Sequence, residues 1–159
     1  GVLKKQVAIA YGAKGLPARA SGVDCDVRRD RPYAAYDKLP VRVMTRVDGD
    51  VRARFDMRVL ELAESFRLIR ECLAKMPEGS VSVALKAKQG SGYGSVEGWL
   101  GEVLDWVRLD ANGCIDRCVI RDPSFCNWPL FGEIGPGNIV PDFPLCNKSL
   151  NLSYSGTDM

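Results

Sequence analysis

The chain has 159 residues, of which 46% are hydrophobic and 26% charged, a balance that predicts one globular domain with a hydrophobic core. The formal net charge is +2, so overall charge gives no reason to expect nucleic-acid binding. Histidine is absent, which excludes imidazole metal ligands and histidine-dependent hydrolases. No apolar run approaches the roughly 18 residues of a membrane-spanning helix.

The first forty residues predict little regular structure. Lys4 to Tyr11 is a candidate short helix, and the stretch from Ala13 to Pro40 is predicted to be a loop because glycines and prolines interrupt any period. This loop contains a dense group of residues of both charge signs, among them Arg19, Asp24, Asp26 and Arg28. It is either a solvated loop held by ion pairs, which composition alone favours, or a loop that contacts a partner or lines a polar channel.

The strongest periodic signal predicts one helix from Asp50 to Met76, about 40 Å long. Asp48 or Asp50 can cap its first turn, and Pro77 ends it. Its apolar residues recur at steps of three and four, the spacing of one helical face. We therefore expect this face to be buried in the core: Phe55, Val59, Leu62, Phe66, Ile69, Leu73.

The second half predicts a small amount of sheet. Ser80 to Leu85 alternates like a strand, and the polar stretch from Lys86 to Gly94 is predicted to be a mobile loop. Leu100 to Leu109 and Cys114 to Arg121 flank Asn112-Gly113, a strong hairpin signal. In such a hairpin, the two cysteines of the second strand lie about 13 Å apart on one face, too far to share a metal, and are interpreted as small packing residues.

The C-terminal stretch predicts short helices, because prolines interrupt it repeatedly. A helix start is expected at Asp122-Pro123-Ser124, followed by four residues that would be buried: Phe125, Trp128, Leu130 and Phe131. The predicted fold class is α+β and mainly helical, with a long central helix at about 50–76, a small antiparallel hairpin or sheet, and broken C-terminal helices. Residues 1–159 are expected to form a single domain.

Five stretches in order carry a family resemblance: ARASGVDCDVRRDRPYAAYD, ESFRLIRECLAKMPEG, VEGWLGEVLDWVRLD, IRDPSFCNWP and GNIVPDFPLCNKSLNLSYSGTDM. Together they resemble the C-terminal part of one large-subunit family. It is shared by group 4 membrane-bound [NiFe] hydrogenases, of the hydrogenase-3 and hydrogenase-4 type, and the 49 kDa subunit of respiratory complex I, an NADH-quinone oxidoreductase. The resemblance implies a [NiFe]-hydrogenase large-subunit-like fold, and a chain that corresponds to a C-terminal segment of a longer protein.

The resemblance also implies that the nickel site of the hydrogenases is degenerate here. Those proteins end on a motif like DPCxxCTDR, and Ser153 and Gly156 stand at the positions of its two nickel-binding cysteines. In a second motif like EAPRGxLxH, Glu97 is kept, but Leu100 replaces the arginine and Asp105 replaces the histidine. We therefore expect this chain to hold no metal and no other cofactor.

The implied function is that of a subunit segment in a membrane-associated redox complex, either NADH-quinone oxidoreductase-like or hydrogenase-like. Such a complex uses iron-sulfur clusters, with NAD or quinone as substrates, and the segment would receive electrons from an iron-sulfur small subunit and shape a quinone-type cavity. Membrane-arm subunits are the other implied partners. The implied location is cytoplasmic, peripheral on the cytoplasmic face of the cell membrane. The alternative is a catalytically inactive scaffold module of such a complex.

Two sets of residues are candidates for this function. Glu97 is either a surface carboxylate before the hairpin or a proton-relay group near the former active site. The charged loop gains an interface or cavity role from the resemblance, through Arg19, Asp24, Asp26 and Arg28. The isolated chain is expected to be inactive and to self-associate, with Trp99, Trp128 or Phe143 among the contacts.

Overall fold

A computed structural model describes residues 1–158. The helices are α1 (Lys5–Ala10), α2 (Gly15–Ala20), α3 (Val27–Asp30), α4 (Val51–Ala74), α5 (Pro123–Asn127), α6 (Phe131–Ile134) and α7 (Asp142–Leu150), with a 3-10 turn at Trp128–Leu130. The strands are β1 (Gly90–Gly98), β2 (Gly101–Leu109) and β3 (Ile115–Arg121). Helices with one three-stranded antiparallel sheet confirm the predicted α+β class.

The long helix α4 forms as the sequence predicts. It begins at Val51 and ends at Ala74, within two residues of the predicted bounds. The side chain of Asp50 caps its first turn by accepting a hydrogen bond from the backbone N–H of Ala53 at 2.7 Å. Glu71 and Lys75 form an exposed ion pair at its C-terminal end, with a separation of 2.5 Å.

The predicted orientation of α4 is wrong, because the expected core face points away from the protein. Its apolar side chains are 47% to 63% exposed: Phe55, Val59, Leu62, Phe66, Ile69 and Leu73. The opposite face is buried through Ala53, Met57 and Leu68. Residues two apart on a helix point in nearly opposite directions, about 200° apart. Helix α4 therefore has an exposed apolar stripe on one face and a buried apolar stripe on the opposite face. The buried stripe also contains Arg54 and Glu64. Because these two residues are charged, a prediction based on hydrophobicity does not identify this stripe as the core face.

Helix α2 lies at the centre of the fold, although the sequence predicts a loop there. All six of its residues are buried. Leu16 and Ala20 pack with Ala53 and Met57 of α4, and Ala18 belongs to a second cluster that brings together α1 and the C-terminal helices. Small side chains let these elements approach closely. The loop prediction for Ala13 to Pro40 is therefore wrong at α2 and α3.

The hairpin of β2 and β3 is confirmed, and its turn contains Asn112-Gly113. The strand predicted at Ser80 to Leu85 is wrong, since this stretch is exposed and has no regular structure. The third strand is instead β1, which starts inside the predicted loop at Gly90 and pairs antiparallel with β2. Cys114 and Cys118 are exposed, so their interpretation as packing residues is also wrong.

The sheet is attached to the rest of the protein at its base, where Gly101 and Glu102 are the buried sheet residues. Gly101 lies directly against Gly15 at the start of α2. A Cβ atom added to Gly101, whose φ is +132°, would be 2.7 Å from the backbone nitrogen of Gly15. A Cβ atom added to Gly15, whose φ is +60°, would be 2.3 Å from the Cα of Gly101. Two backbones thus touch where neither position has room for a side chain.

The first of the C-terminal helices, α5, begins where the sequence predicts. Asp122 caps α5 by accepting a hydrogen bond from the backbone N–H of Ser124 at 2.7 Å. Leu130 is fully buried as expected, but Phe125 is exposed, which contradicts its predicted burial. Two further aromatic side chains of this region, Trp128 and Phe131, are half-buried.

A buried arginine joins α4 to α7. Arg54 donates hydrogen bonds to the Ser149 hydroxyl at 2.8 Å, to the Gly49 carbonyl at 2.7 Å and to the Gly1 carbonyl at 2.8 Å. All three partners are neutral oxygens, and burial lowers the pKa of Arg54 to about 10. The hydrogen bonds keep this guanidinium satisfied away from water.

The two faces of α4 predict a contrast between two substitutions. Met57→Ala should lower the free energy of unfolding by about 2 to 5 kcal/mol, because it leaves a cavity in the core. Phe66→Ala, on the exposed face, should change it by less than about 1 kcal/mol in the monomeric chain. Urea unfolding of both variants at low protein concentration checks this. A larger loss for Phe66→Ala than for Met57→Ala would reverse the assignment of the faces.

Candidate functional site

The candidate site is built around the buried guanidinium of Arg19, which is 2% exposed. Its Nε donates to Oε1 of Glu61 on α4 at 2.7 Å. Its Nη1 donates to Oε1 of Glu97 on β1 at 2.7 Å and to the Cys25 carbonyl at 3.1 Å, and lies 3.8 Å from Oδ2 of Asp26. One side chain of α2 therefore binds acidic groups from three other parts of the fold.

Helix α3 presents the second half of the site. Asp26 caps it by accepting from the backbone N–H of Arg28 at 3.0 Å, and the same carboxylate binds the Arg28 guanidinium at 2.9 and 2.7 Å. Oε2 of Glu97 accepts from the backbone N–H of Val27 at 3.1 Å. The two oxygens of Glu97 thus hold α2 and the start of α3 together.

The surroundings of Glu97 make its carboxyl group easier to protonate than that of a solvated glutamate. Burial raises the pKa of Glu97, while the adjacent Arg19 opposes this rise without cancelling it. Burial also works against the charge of Arg19, but Glu61 and Glu97 outweigh it and raise the pKa of Arg19 above its usual range. A permanently charged guanidinium therefore faces a carboxyl group that takes up a proton more readily than a solvated glutamate does.

A pocket of about 180 Å³ opens beside this cluster. Its lining comes from α2, α3, α4 and the β1–β2 turn: Arg19, Arg28, Glu61, Ser65, Glu97, Gly98 and Trp99. The Trp99 side chain is half exposed at the turn. The pocket thus combines an indole surface with charged groups that are already hydrogen-bonded to one another.

Sequence reasoning missed a second buried carboxylate, Glu102, which is the direct cross-strand partner of Glu97. Ser95 donates to it at 2.9 Å. Three cations surround it, with Lys14 and Arg121 each at 2.9 Å: Lys14, Arg31 and Arg121. Burial opposes its charge, but hydrogen bonds from Lys14, Ser95 and Arg31 lower the pKa of Glu102 to about 2. A sequence prediction could have found Glu102 by pairing β1 with β2 across the Trp99-Leu100 turn, because this pairing places Glu102 opposite Glu97.

The two glutamates both line a cavity of about 150 Å³. The thiol-bearing residue Cys25, together with Asp30 and Arg31, also lines this cavity. Environments that push the pKa values of neighbouring carboxyl groups in opposite directions are typical of sites that move protons. In this pair, burial raises the pKa of Glu97, and the surrounding cations keep Glu102 ionised.

The structure brings together three of the four charged-loop candidates with Glu97. Arg19, Asp26 and Arg28 belong to the cluster described above. Asp24 does not, since its side chain is 62% exposed and pairs with Arg29 at 2.6 Å on the surface.

The two positions that the resemblance matches to nickel ligands, Ser153 and Gly156, do not fit a pair of thiolates. The Ser153 hydroxyl accepts a hydrogen bond from the backbone N–H of Gly156 at 3.1 Å. A Cβ atom added to Gly156 would lie 2.6 Å from Cγ of Asp122, so a cysteine there would collide with the α5 cap. Within residues 1–158, no three histidine, cysteine, aspartate or glutamate side chains are grouped closely enough to hold a metal ion.

The helices and the one three-stranded antiparallel sheet are consistent with a large-subunit-like α+β fold. The profile of one protein family, described as the 49 Kd subunit of the respiratory-chain NADH dehydrogenase, matches residues 1–88. Because this match covers more than half of the chain, the protein belongs to that family. None of the helices in the described part of the chain is long and apolar enough to cross a membrane.

Individual relatives agree with this assignment, and all three are D-type subunits of NADH-quinone oxidoreductases. The chain is 32% identical to the first such subunit of Chloroherpeton thalassium, over 95% of this chain and 41% of the relative. It is 35% identical to the D-type protein of Clostridium beijerinckii and 37% identical to the second one of Salinispora tropica, in each case over 89% of this chain. The chain spans about two fifths of the length of these relatives.

The lowered pKa of Glu102 predicts a pH-dependent contribution to stability. In the unfolded chain a glutamate has a pKa of about 4.3, so the contribution is fully present above that pH and is lost as pH falls toward 2. Glu102→Gln should therefore lower the free energy of unfolding at pH 7 by about 1 to 3 kcal/mol, and by about half as much at pH 3.

Urea unfolding at both pH values measures this difference. Glu78→Gln, in an exposed loop, is the matched control and should change stability at neither pH. An equal loss for Glu102→Gln at pH 7 and pH 3 would contradict the prediction.

Proposed function

We propose that this chain acts as part of the large subunit of a membrane-associated NADH-quinone oxidoreductase-like complex, in which its charged centre forms part of the wall of a quinone-type cavity. Electrons arrive from an iron-sulfur partner subunit, and Glu97 supplies protons to the acceptor. Membrane-arm subunits of the same complex are the other proposed partners. Membership of the 49 kDa family supports this assignment to a complex.

The observation that carries the proposed role is the position of Glu97. Its side chain is 4% exposed, it is bonded to Arg19, and it lines the pocket that Trp99 borders. A buried carboxyl group with a raised pKa holds a proton more readily than a solvated glutamate, which suits a proton donor. The indole beside it offers an aromatic surface on which a planar ring can stack.

Reduction of a quinone to a quinol consumes two electrons and two protons. With electrons from the iron-sulfur partner, protonated Glu97 donates one proton to a quinone oxygen in the pocket and becomes a carboxylate. Arg19, at 2.7 Å, stabilises that carboxylate until it takes up another proton from the solvent side. The second proton that the quinol requires reaches its other oxygen from the solvent. The two charge states of Glu97 therefore have the same fixed partner, so little rearrangement accompanies each proton transfer.

Glu97→Gln in the native complex tests this role. We expect quinone reduction by NADH to fall about tenfold or more, the lower range for loss of a general acid. Electron transfer from NADH to a soluble one-electron acceptor, which needs no proton from this site, should be unchanged. Asp24→Asn, a carboxylate of the same loop region outside the cluster, is the matched control and should leave both activities intact.

The outcomes separate the two functions considered. Unchanged quinone reduction in Glu97→Gln, with the complex assembled normally, would overturn the proton-donor role. A wild-type complex that assembles with this subunit but reduces no quinone would instead assign the chain to the inactive scaffold class.

We further predict that the native subunit binds no stoichiometric nickel. Ser153 offers a hydroxyl in place of a soft thiolate, and Gly156 has no space for a cysteine side chain beside Asp122. Elemental analysis of the subunit purified without added metal checks this. One nickel per chain would contradict it, and substitution of Cys126 and of Cys146 would then identify the ligands.

A further inference from the structure

Glu97 lies between two cavities. It lines the pocket of about 180 Å³ beside Trp99, which we call the Trp99 pocket, and the cavity of about 150 Å³ beside Cys25, which we call the Cys25 cavity. Within residues 1–158, Glu97 is the one lining residue that these two spaces share. When a quinone occupies the Trp99 pocket, the Cys25 cavity is therefore the second space that adjoins Glu97.

The direct partners of the Glu97 carboxylate cannot return a proton to it. Arg19 donates to Oε1 at 2.7 Å, and its guanidinium holds its own proton too tightly to release it. The backbone N–H of Val27 donates to Oε2 at 3.1 Å and does not ionise. Each carboxylate oxygen can accept a further hydrogen bond, so water can bind beside these partners. The proton that Glu97 needs after each transfer therefore arrives from a neighbouring space.

The Cys25 cavity is suited to holding water. A water molecule takes up about 30 Å³ in the liquid, so the cavity has room for several. Lys14 uses one of its three N–H groups on Glu102, at 2.9 Å, and can donate the others to water. Each carboxylate oxygen of Asp30 accepts one hydrogen bond within the protein and can accept a second. The wall thus offers both donors and acceptors to water.

Glu102 forms part of the wall of the Cys25 cavity without competing for the proton. Its two oxygens together accept four hydrogen bonds, which fill their acceptor positions: Ser95, Arg31, Lys14 and Arg121. Although burial opposes its charge, these donors lower the pKa of Glu102 to about 2. A proton that enters the cavity at neutral pH therefore binds to Glu97 rather than to Glu102.

We propose that water in the Cys25 cavity carries to Glu97 the protons that Glu97 donates in the Trp99 pocket. This inference rests on the proposed function, in which Glu97 protonates a quinone. After that transfer, the water molecule next to Glu97 gives one proton to the carboxylate and takes one from the next water molecule. One proton is thus drawn in from the solvent in each cycle, and none accumulates in the cavity. Separate entry and exit sides let Glu97 be reprotonated while the Trp99 pocket is occupied.

Two substitutions at Cys25 test this route. In Cys25→Leu, the larger apolar side chain excludes water from the cavity, whereas the matched control Cys25→Ser keeps a small side chain with an O–H group. The Cys25 carbonyl, which accepts from Arg19, is retained in both variants. The complete native complex is mixed rapidly with NADH and quinone, and the rate of the first turnover of quinone reduction is compared with the steady-state rate.

The first turnover of Cys25→Leu should match that of the wild type, because the resting complex has already reached protonation equilibrium. Its steady-state rate should fall about fivefold, less than loss of the proton donor itself causes, since Glu97 must be reprotonated in every later cycle. Cys25→Ser should match the wild type in both measurements. Cys25→Met, whose flexible side chain fills irregular gaps, provides the same test if Cys25→Leu prevents assembly.

A wild-type steady-state rate in Cys25→Leu would overturn the inference, and so would a first turnover that is slowed as strongly as the later ones. Glu97→Gln, measured alongside, separates this inference from the proposed function. Normal quinone reduction in Glu97→Gln overturns the proton-donor role itself. Slow reduction in Glu97→Gln together with a normal rate in Cys25→Leu overturns only the route through the Cys25 cavity.

Discussion

The structure depends above all on how one buried guanidinium is compensated. Arg19 lies in the most buried helix and binds carboxylates from α4 and β1, while the α3 cap Asp26 lies nearby. Breaking a buried ion pair by removing one partner costs about 3 to 5 kcal/mol, because the remaining charge stays away from water. The carboxylates of Glu61 and Glu97 therefore fix where α4 and β1 meet α2. The same contact that assembles the fold also limits the rise in the pKa of Glu97 that burial causes.

The buried charge of Arg54 is compensated in a different way from that of Arg19. Its partners are a hydroxyl and two carbonyls, so its charge is hydrogen-bonded but not neutralised. Burial consequently lowers its pKa, whereas two carboxylates raise that of Arg19. Arg54 is thus suited to joining chain segments, and Arg19 to holding acidic side chains in a site.

The sequence predicted features that depend on local signals. The Asp50 cap, the Asn-Gly turn and the Asp122 cap each act within a few residues, and all three lie where expected. The buried face of α4 was not predictable from hydrophobicity, because its more apolar stripe faces outward. Strand β1 was missed since glycine, which has low strand propensity, occupies every second position at its start.

The candidate site was predictable only in part, because its contacts join residues that are far apart in the sequence. The charged loop and the resemblance single out Arg19 and Glu97, but their contact joins residues 78 positions apart. From the sequence alone, Glu61 is indistinguishable from an ordinary surface charge on a helix. Its role becomes visible only when α2 packs against α4 and brings Arg19 to it. Glu102 requires the hairpin register, which in turn requires β1. Partners that come from distant parts of the chain leave no pattern in a single sequence.

The backbone contact between Gly15 and Gly101 has a mechanical consequence. Gly15 begins the helix that carries Arg19, and Gly101 follows directly after the Trp99-Leu100 turn. With no side chain between them, the turn and the helix have no compressible layer to absorb movement. The position of the Trp99-Leu100 turn is therefore fixed directly against the start of α2, about one helical turn before Arg19.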